Sequence, residues 1–395
     1  MIYDVLAHVC ALAGLAAFCY KLPELLQRRN DPALRALAVY FLCSGLSFLI
    51  DLNWLRGHVS GLFDYPNLTT IMTQSAVVVL TAAQQVVLVH WSHPPEQARL
   101  RAKRRVQAFT VALVVLVALF FLVEPYRQSP SAEGTLLHNM RDADYAGYLF
   151  FYITICAVGQ VGAVRLSYRY ARIARRTWLR TGMWTVTAGA SFVLLYCAIR
   201  YIQTAGVRLG FDMSAWEPAY WLAGNVGSLL QLFGWTVPSW GPAVSAWVTN
   251  YRSYLRLRPL WWALYDVVPA IALEPPSSRV LDRLPPSDPE YRLYRRVIEI
   301  LDGYHALRPH LAHAAARDGR PPDRARHSPA DEARFLKAAL RARAEGSAAP
   351  PPSAASAPPP FAGHRDDFAE EVAWLTEVAR SFSRISSSRG SARGG

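Results

Sequence analysis

Residues 68–89 read LTTIMTQSAVVVLTAAQQVVLV, twenty-two consecutive positions without an ionisable side chain. As an α-helix rising about 1.5 Å per residue this stretch is roughly 33 Å long, enough to cross the ~30 Å hydrocarbon core of a bilayer. Its polar residues are ordered rather than scattered: Thr70, Gln74, Thr81 and Gln85 share one helical face. Amides turned toward hydrocarbon have no water to bond, so that face must meet other helices. A spanning helix with a polar seam belongs to a bundle.

Six more apolar runs accompany it, at 2–20, 33–50, 106–123, 145–164, 182–202 and 216–237. Of the 395 residues 52% are hydrophobic and 18% charged, and the charge is uneven, with 32 charged side chains before position 238 and 39 in the shorter remainder. Such a balance excludes a single soluble enzyme, a collagen-like chain and a wholly disordered one. Trp54, Tyr65, Trp91, Tyr126, Tyr145, Tyr168, Trp178, Tyr201 and Trp216 fall near the run ends, the level at which amphipathic rings settle against headgroups. The predicted fold is all-α. A seven-helix transmembrane bundle fills 1–237 and an interfacial connector 238–262. A helical domain over 263–345 leads to a disordered linker at 346–360, a C-terminal helix at 361–385 and a disordered tail at 386–395.

Alternate loops differ in basic content. One set holds Lys21, Arg28, Arg29 and Arg35, then Arg99, Arg101, Lys103, Arg104 and Arg105, then Arg165, Arg169, Arg172, Arg175, Arg176 and Arg180; the other holds Arg56, Arg127, Arg141 and Arg208. Fifteen against four places the first set in the cytoplasm, the N-terminus outside and the tail inside a plasma membrane. No Lys or Arg precedes the first run and Asp4 has the wrong sign for a secretory leader, so that run is expected to stay as a span. The basic clusters at 99–105 and 165–176 are expected to meet anionic lipid headgroups rather than nucleic acid. All five cysteines fall inside spans, where they act as small apolar residues.

Chemical signatures are sparse: no phosphate loop, HExxH, nucleophile elbow or paired-cysteine metal site occurs, which argues against an enzyme and against a cofactor or metal. His305, His310 and His313 straddle the helix-breaking Arg308-Pro309 and are not expected to share a face. Asp51, Arg200 and Glu217 would lie near the outer surface with His8 one turn below Asp4, and charges at that depth need partners or water. They suggest an outward vestibule in which Arg200 pairs with Asp51 or Glu217. Gln85 and Asn225, the latter sharing a face with Ser228, complete the candidate ligand-binding set; ordinary interhelical hydrogen bonds are the plainer role for these amides.

The tail carries Trp240, Trp247, Tyr251, Tyr254, Trp261 and Trp262 among Arg252, Arg256 and Arg258, a mixture that either lies along the interface or packs inside the tail domain. Leu293, Val297, Ile300, Tyr304, Leu307 and Leu311 form one helical stripe, with Arg295 and Glu299 an i,i+4 pair beside it. Phe368, Val372, Leu375, Ala379 and Phe382 form another, expected to fold back onto the first or to make a homodimer, so 290–311 and 366–385 are the candidate surface for a cytoplasmic protein.

The runs LWWALY (260–265), VPAIAL (268–273) and LYRRVIEI (293–300) with Asp302-Gly303, and EVAWL (371–375), resemble a family of actinobacterial membrane proteins that carry a transporter label. The resemblance implies about seven spans followed by a domain of unknown function, and brings no site residues with it. Transport is one expectation. A ligand-free scaffold is another. A sensor or regulator, needing an outer pocket, a shifting bundle and an inner domain, fits the residues best.

Overall fold

In the computed structural model the described residues are 2–63, 68–123, 140–274, 278–284, 287–319, 328–347 and 365–391. Outside them lie Tyr65, Tyr126, Arg127, the proline pairs at 275–276 and 285–286, and the expected linker from position 348 onward; the side chains of Asp4 and Arg56 are likewise not described. Among the described residues the chain is helical, with no strand. It divides into two compact units, Met1–Gly241 and Pro242–Gly395.

The first unit contains α1 (Ile2–Gln27), α2 (Pro32–Asp51), the short α3 (Asn53–Phe63), α4 (Leu68–Ser92), α5 (Pro95–Val123), α6 (Ala143–Ile173), α7 (Thr177–Arg208) and the first part of α8 (Glu217–Tyr265). Asp31 caps α2 by accepting from the Ala33 and Leu34 amides, with Pro32 at the first helical position, where its missing N–H costs nothing. Six helices, α1, α2, α4, α5, α6 and α7, are long and apolar enough to cross a membrane. The most apolar of them, α5, is also the least buried, with 11% of its most apolar stretch covered. Val111, Val114 and Val158 stand more than 60% exposed. Soluble proteins hide such residues, whereas a bilayer is itself the apolar surroundings they require. Residues 216–237, the run expected as a seventh span, fall short of the six because Asn225, Gln231 and several glycines dilute their apolar character.

Several boundaries differ from expectation. The α5 helix begins eleven residues before position 106, and α6 ends nine after 164, so the arginines at 99–105 and 165–172 sit on helices rather than loops. No breaker interrupts these Ala-, Arg- and Gln-rich stretches, and Pro95 opens α5. The α8 helix passes Pro238, Pro242 and Pro259 to reach Tyr265.

Two helix pairs approach to backbone contact. Gly14 lies against Gly45 between α1 and α2; on α7 and α8, Gly182 faces Gly234 and Gly189 faces Gly227. A Cβ on any of the latter four would come 2.6–2.9 Å from the opposite carbonyl oxygen. Small residues permit that closeness, and dispersion between the backbones then holds helices that lipid would otherwise solvate equally well.

The second unit holds the end of α8, then α9 (Pro289–Ala306), α10 (Arg308–Arg317), α11 (Pro329–Ala344) and α12 (Arg365–Ser391). The helix breaks between α9 and α10 at Leu307, leaving His310 buried while His305 and His313 are exposed. Tyr254, Leu257, Leu260, Trp261 and Leu264 are core residues here, packed with Leu293, Val297, Ile300, Leu336, Leu375 and Phe382. The aromatic run from 251 to 262 thus contributes to a domain core, its apolar positions being spent on packing. The α12 stripe closes on the same core, with Tyr294 and Phe368 rings 5.5 Å apart. Helix α12 continues to Ser391, past the expected end at Ile385, because its Ser- and Arg-rich end has no proline to stop the hydrogen-bond ladder.

Two buried carboxylates tie this unit together. Asp282 accepts from the Tyr254 hydroxyl (2.5 Å), Arg296 Nη2 (2.5 Å), Arg258 Nε (3.2 Å) and Trp262 Nε1 (3.2 Å). Glu299 accepts from Trp261 Nε1 (2.6 Å), the Leu273 amide (3.2 Å) and, as its i,i+4 partner, Arg295 Nε (2.9 Å). The Arg296 guanidinium also lies over the Tyr254 ring, 3.9 Å from its centroid.

Candidate functional site

The polar face read from residues 68–89 lines a cavity of about 180 Å³ inside the first unit. From α2 come Tyr40, Ser44, Ser47 and Asp51; from α4 Thr70, Thr73, Gln74 and Thr81; from α6 Tyr145, Tyr152, Cys156 and Gln160. Tyr196 of α7 and Tyr220, Trp221, Asn225, Ser228 and Gln231 of α8 close it. On each helix the lining positions step by three or four, so each helix turns one face inward. Among the described lining residues Asp51 alone carries a charge. The remaining polar groups are hydroxyls, amides and an indole, all able to bond a neutral partner.

The cavity occupies one half of the bundle. Along α4, α6, α7 and α8 the lining positions lie farther from the arginine-rich helix ends than the dense core of Val87, Ala163, Met183, Val186 and Trp235, and on α2 Tyr40 belongs to both. Between the two halves sits a ring of three buried glutamines. Gln84 donates to Gln231 (2.6 Å), Gln231 to Gln160 (3.3 Å) and Gln160 back to Gln84 (3.3 Å). Each amide finds in the ring the donor and acceptor that lipid cannot offer. Substituting Gln231→Leu breaks two of the three bonds and leaves Gln84 and Gln160 half-satisfied. The expected cost is about 1–2 kcal/mol, read as a lowered unfolding temperature of the purified full-length protein; an unchanged temperature would show the ring to be energetically idle.

The six residues singled out in the sequence are not all brought together. Asp51 and Asn225 line the cavity. Asn225 is 2% exposed; its Nδ2 donates to the Trp221 carbonyl (2.7 Å), and the Cys10 thiol donates to its Oδ1 (3.6 Å). Arg200 pairs with Glu217 at 3.0 Å, one of the two partners expected for it, and Gln203 donates to the same oxygen (3.1 Å). This pair lies behind the cavity wall, with Arg200 over the Tyr220 ring, 3.4 Å from its centroid, and Tyr220 bonded to Tyr196 (2.7 Å). Arg200 Nε and Nη2, Gln203 Oε1 and Glu217 Oε2 are buried without a hydrogen-bond partner. Gln85 points elsewhere: its amide donates to the Gly159 carbonyl (2.6 Å) and its oxygen accepts from Arg105. His8 is exposed on α1 and does not line the cavity.

The sequence reading missed Tyr40, Ser44, Ser47, Gln160 and Gln231. A signal existed: Tyr40, Ser44, Ser47 and Asp51 repeat at three- and four-residue steps, as do Tyr145, Tyr152, Cys156 and Gln160 once Leu149 is counted with them. Among the described residues no group of three or more His, Cys, Asp or Glu is placed to hold a metal ion.

Residues 246–385, about a third of the chain and nearly all of the second unit, match a family of unknown function (DUF6545). The match agrees with the expected C-terminal domain of unknown function, and it carries no transporter or actinobacterial label. No curated protein and no solved structure matches the chain.

Proposed function

We propose that this protein is a plasma-membrane sensor or regulator that binds a small uncharged solute in its helical bundle. Seven helices cross the bilayer, α8 supplying the seventh, with the N-terminus outside and the second unit in the cytoplasm, where it engages a partner protein. The observation that carries this reading is the cavity itself: neutral donors and acceptors from α2, α4, α6, α7 and α8 converge on about 180 Å³. A solute rich in hydroxyl or amide groups matches such a lining; an anion would need a counter-charge, and the one charged group among the described lining residues, Asp51, is itself negative. The excess of arginine at the other end of the helices makes the cavity half the outer half.

Sensing is favoured over passage by what lies beyond the cavity. A facilitator needs a wet path through both halves, and here Trp91 and Trp235 pack ring against ring, with centroids 5.5 Å apart, in the core past the glutamine ring, while the Tyr40 ring of the cavity wall closes on Trp235 at 6.0 Å. A solute bound to the folded state raises its stability, by about 2.7 kcal/mol at a hundredfold excess over the dissociation constant. Thermal unfolding of the full-length protein against a panel of small polyols, amides and sugars should therefore identify a stabilising class. Ser228→Leu, which adds bulk to the wall, should abolish that shift while leaving the unliganded unfolding temperature within a degree or two. Stabilisation by charged solutes alone would overturn the reading, and solute uptake into reconstituted vesicles would replace sensing with facilitated transport.

A further inference from the structure

At the arginine-rich end of the first unit, α5 and α6 frame an open cleft of about 430 Å³ lined by Arg105, Gly162, Arg165, Leu166, Tyr168 and Arg169. Three arginines line it, and no acidic residue is among the lining residues. The innermost cation is held in place from behind. Arg105 Nη1 donates to Gln85 Oε1, and Gln85, 3% exposed, is itself anchored through its amide to the Gly159 carbonyl. Gly162 makes room for this arrangement: a Cβ there would come 2.8 Å from Gln85 Oε1. A buried amide therefore fixes Arg105 in a cleft that Arg165 and Arg169 also line, giving it a built floor rather than a chance gathering of surface charge.

We propose that this cleft is a binding site for the phosphate headgroup of an anionic phospholipid. Guanidinium forks bond phosphate oxygens in pairs, and three of them with no competing carboxylate favour an anion strongly. The lipid, rather than a free phosphate, is indicated by what continues the cleft. On α6, Val158 lies one turn before Gly162 on the same face and is 65% exposed, while Tyr168, 42% exposed, stands at the polar end. Cations at one end of a groove and bare apolar surface at the other complement an amphiphile, with acyl chains lying along the helix and the headgroup among the arginines. The site is separate from the solute cavity, so it stands or falls independently of the sensing reading.

The test is titration of the detergent-solubilised full-length protein with phosphatidylglycerol and with phosphatidylcholine, counting bound lipid by native mass spectrometry. Phosphatidylglycerol should be retained preferentially. Arg165→Ala/Arg169→Ala should weaken its binding roughly thirtyfold, about fivefold for each arginine. Arg28→Ala/Arg29→Ala removes the same charge from exposed positions outside the cleft, in another member of the same set of loops, and should change it less than twofold. All four substituted side chains are exposed, so folding is not at stake, and an unchanged unfolding temperature confirms it. Equal losses in the two double variants, equal retention of phosphatidylcholine, or displacement of the lipid by inorganic phosphate at matching concentration would each overturn the proposal.

Discussion

Replacing Asp282 with alanine should cost the second unit about 3–5 kcal/mol, a large part of the ~5–15 kcal/mol by which a domain is ordinarily stable. The carboxylate is the shared acceptor for Tyr254, Arg258, Trp262 and Arg296. Arg296 is 5% exposed, so removing its counter-charge leaves a guanidinium buried with too little to bond. The rings of Tyr254 and Trp261 over it cannot replace a full negative charge. Urea-dependent protease protection of residues 246–385, measured on the full-length protein in detergent, would read the loss. A midpoint within about 0.5 kcal/mol of the unsubstituted protein, the range of an ordinary surface change, would show that the hub is not a keystone.

The same residue sets an acid limit. Burial by itself would raise the Asp282 carboxyl above its ordinary value of 3.8, but the hydrogen bond and charge of Arg296, with the bonds from Tyr254 and Trp262, outweigh it and the net shift is downward. A carboxyl that is more acidic folded than unfolded stabilises the fold fully above its unfolded value, and the contribution disappears as pH falls through the lowered native value. The second unit should therefore show no slope from this group between pH 7 and 5, then weaken below about pH 4. In Asp282→Asn, which cannot titrate, that component of the acid slope should be missing. An identical acid profile in both proteins would mean that Asp282 is not the group responsible.

What could be read from the chain followed from length and period. Residues 68–89 announce a spanning helix because nothing else accommodates twenty-two uncharged positions, and the stripe from Leu293 to Leu307 announces a helix because the four-three repeat has no other geometric meaning. The Arg295–Glu299 contact and the break at Leu307 were likewise local facts of spacing. The candidate site was legible only where polar residues looked out of place. Asp51 and Asn225 were visible as charge or amide in grease, yet Tyr40, Ser44 and Ser47 are ordinary in a span and become cavity walls only through the neighbours they face. Gln85 shows the converse: it shares a helical face with Gln74 and Thr81, but the one turn beyond Thr81 carries it past the cavity to Gly159 and Arg105. Asp282 was invisible for a related reason. It sits in a short turn between two proline pairs with no period around it, and its four donors come from 14 to 28 positions away. Long-range pairing of this kind leaves no mark in local pattern.

The glycines of α7 and α8 lead to the second large effect. Gly189→Leu should be among the most damaging single changes in the first unit, costing more than 3 kcal/mol and so lying beyond the usual ~1–3 kcal/mol of an overpacked core. Overpacking is normally relieved by a rotamer change in the neighbour. Here the first atoms a Cβ would meet are Gln231 Cγ and the Gly227 carbonyl oxygen, both at 2.7 Å, and the Gln231 backbone nitrogen at 2.8 Å. Backbone has no rotamer to change, so the helices must separate. Separation pulls Gln231 out of the glutamine ring and opens the floor of the cavity, coupling a packing fault to the proposed solute site. Gly147→Leu is the matched control: it makes the same substitution within a long apolar helix, where a Cβ meets nothing within 4 Å, and it even gains helix propensity. Size-exclusion profiles and unfolding temperatures of the two full-length variants should diverge, Gly147→Leu behaving as the unsubstituted protein and Gly189→Leu aggregating or melting well below it. If the two variants were equally stable, backbone contact between α7 and α8 would not be what holds this side of the bundle closed.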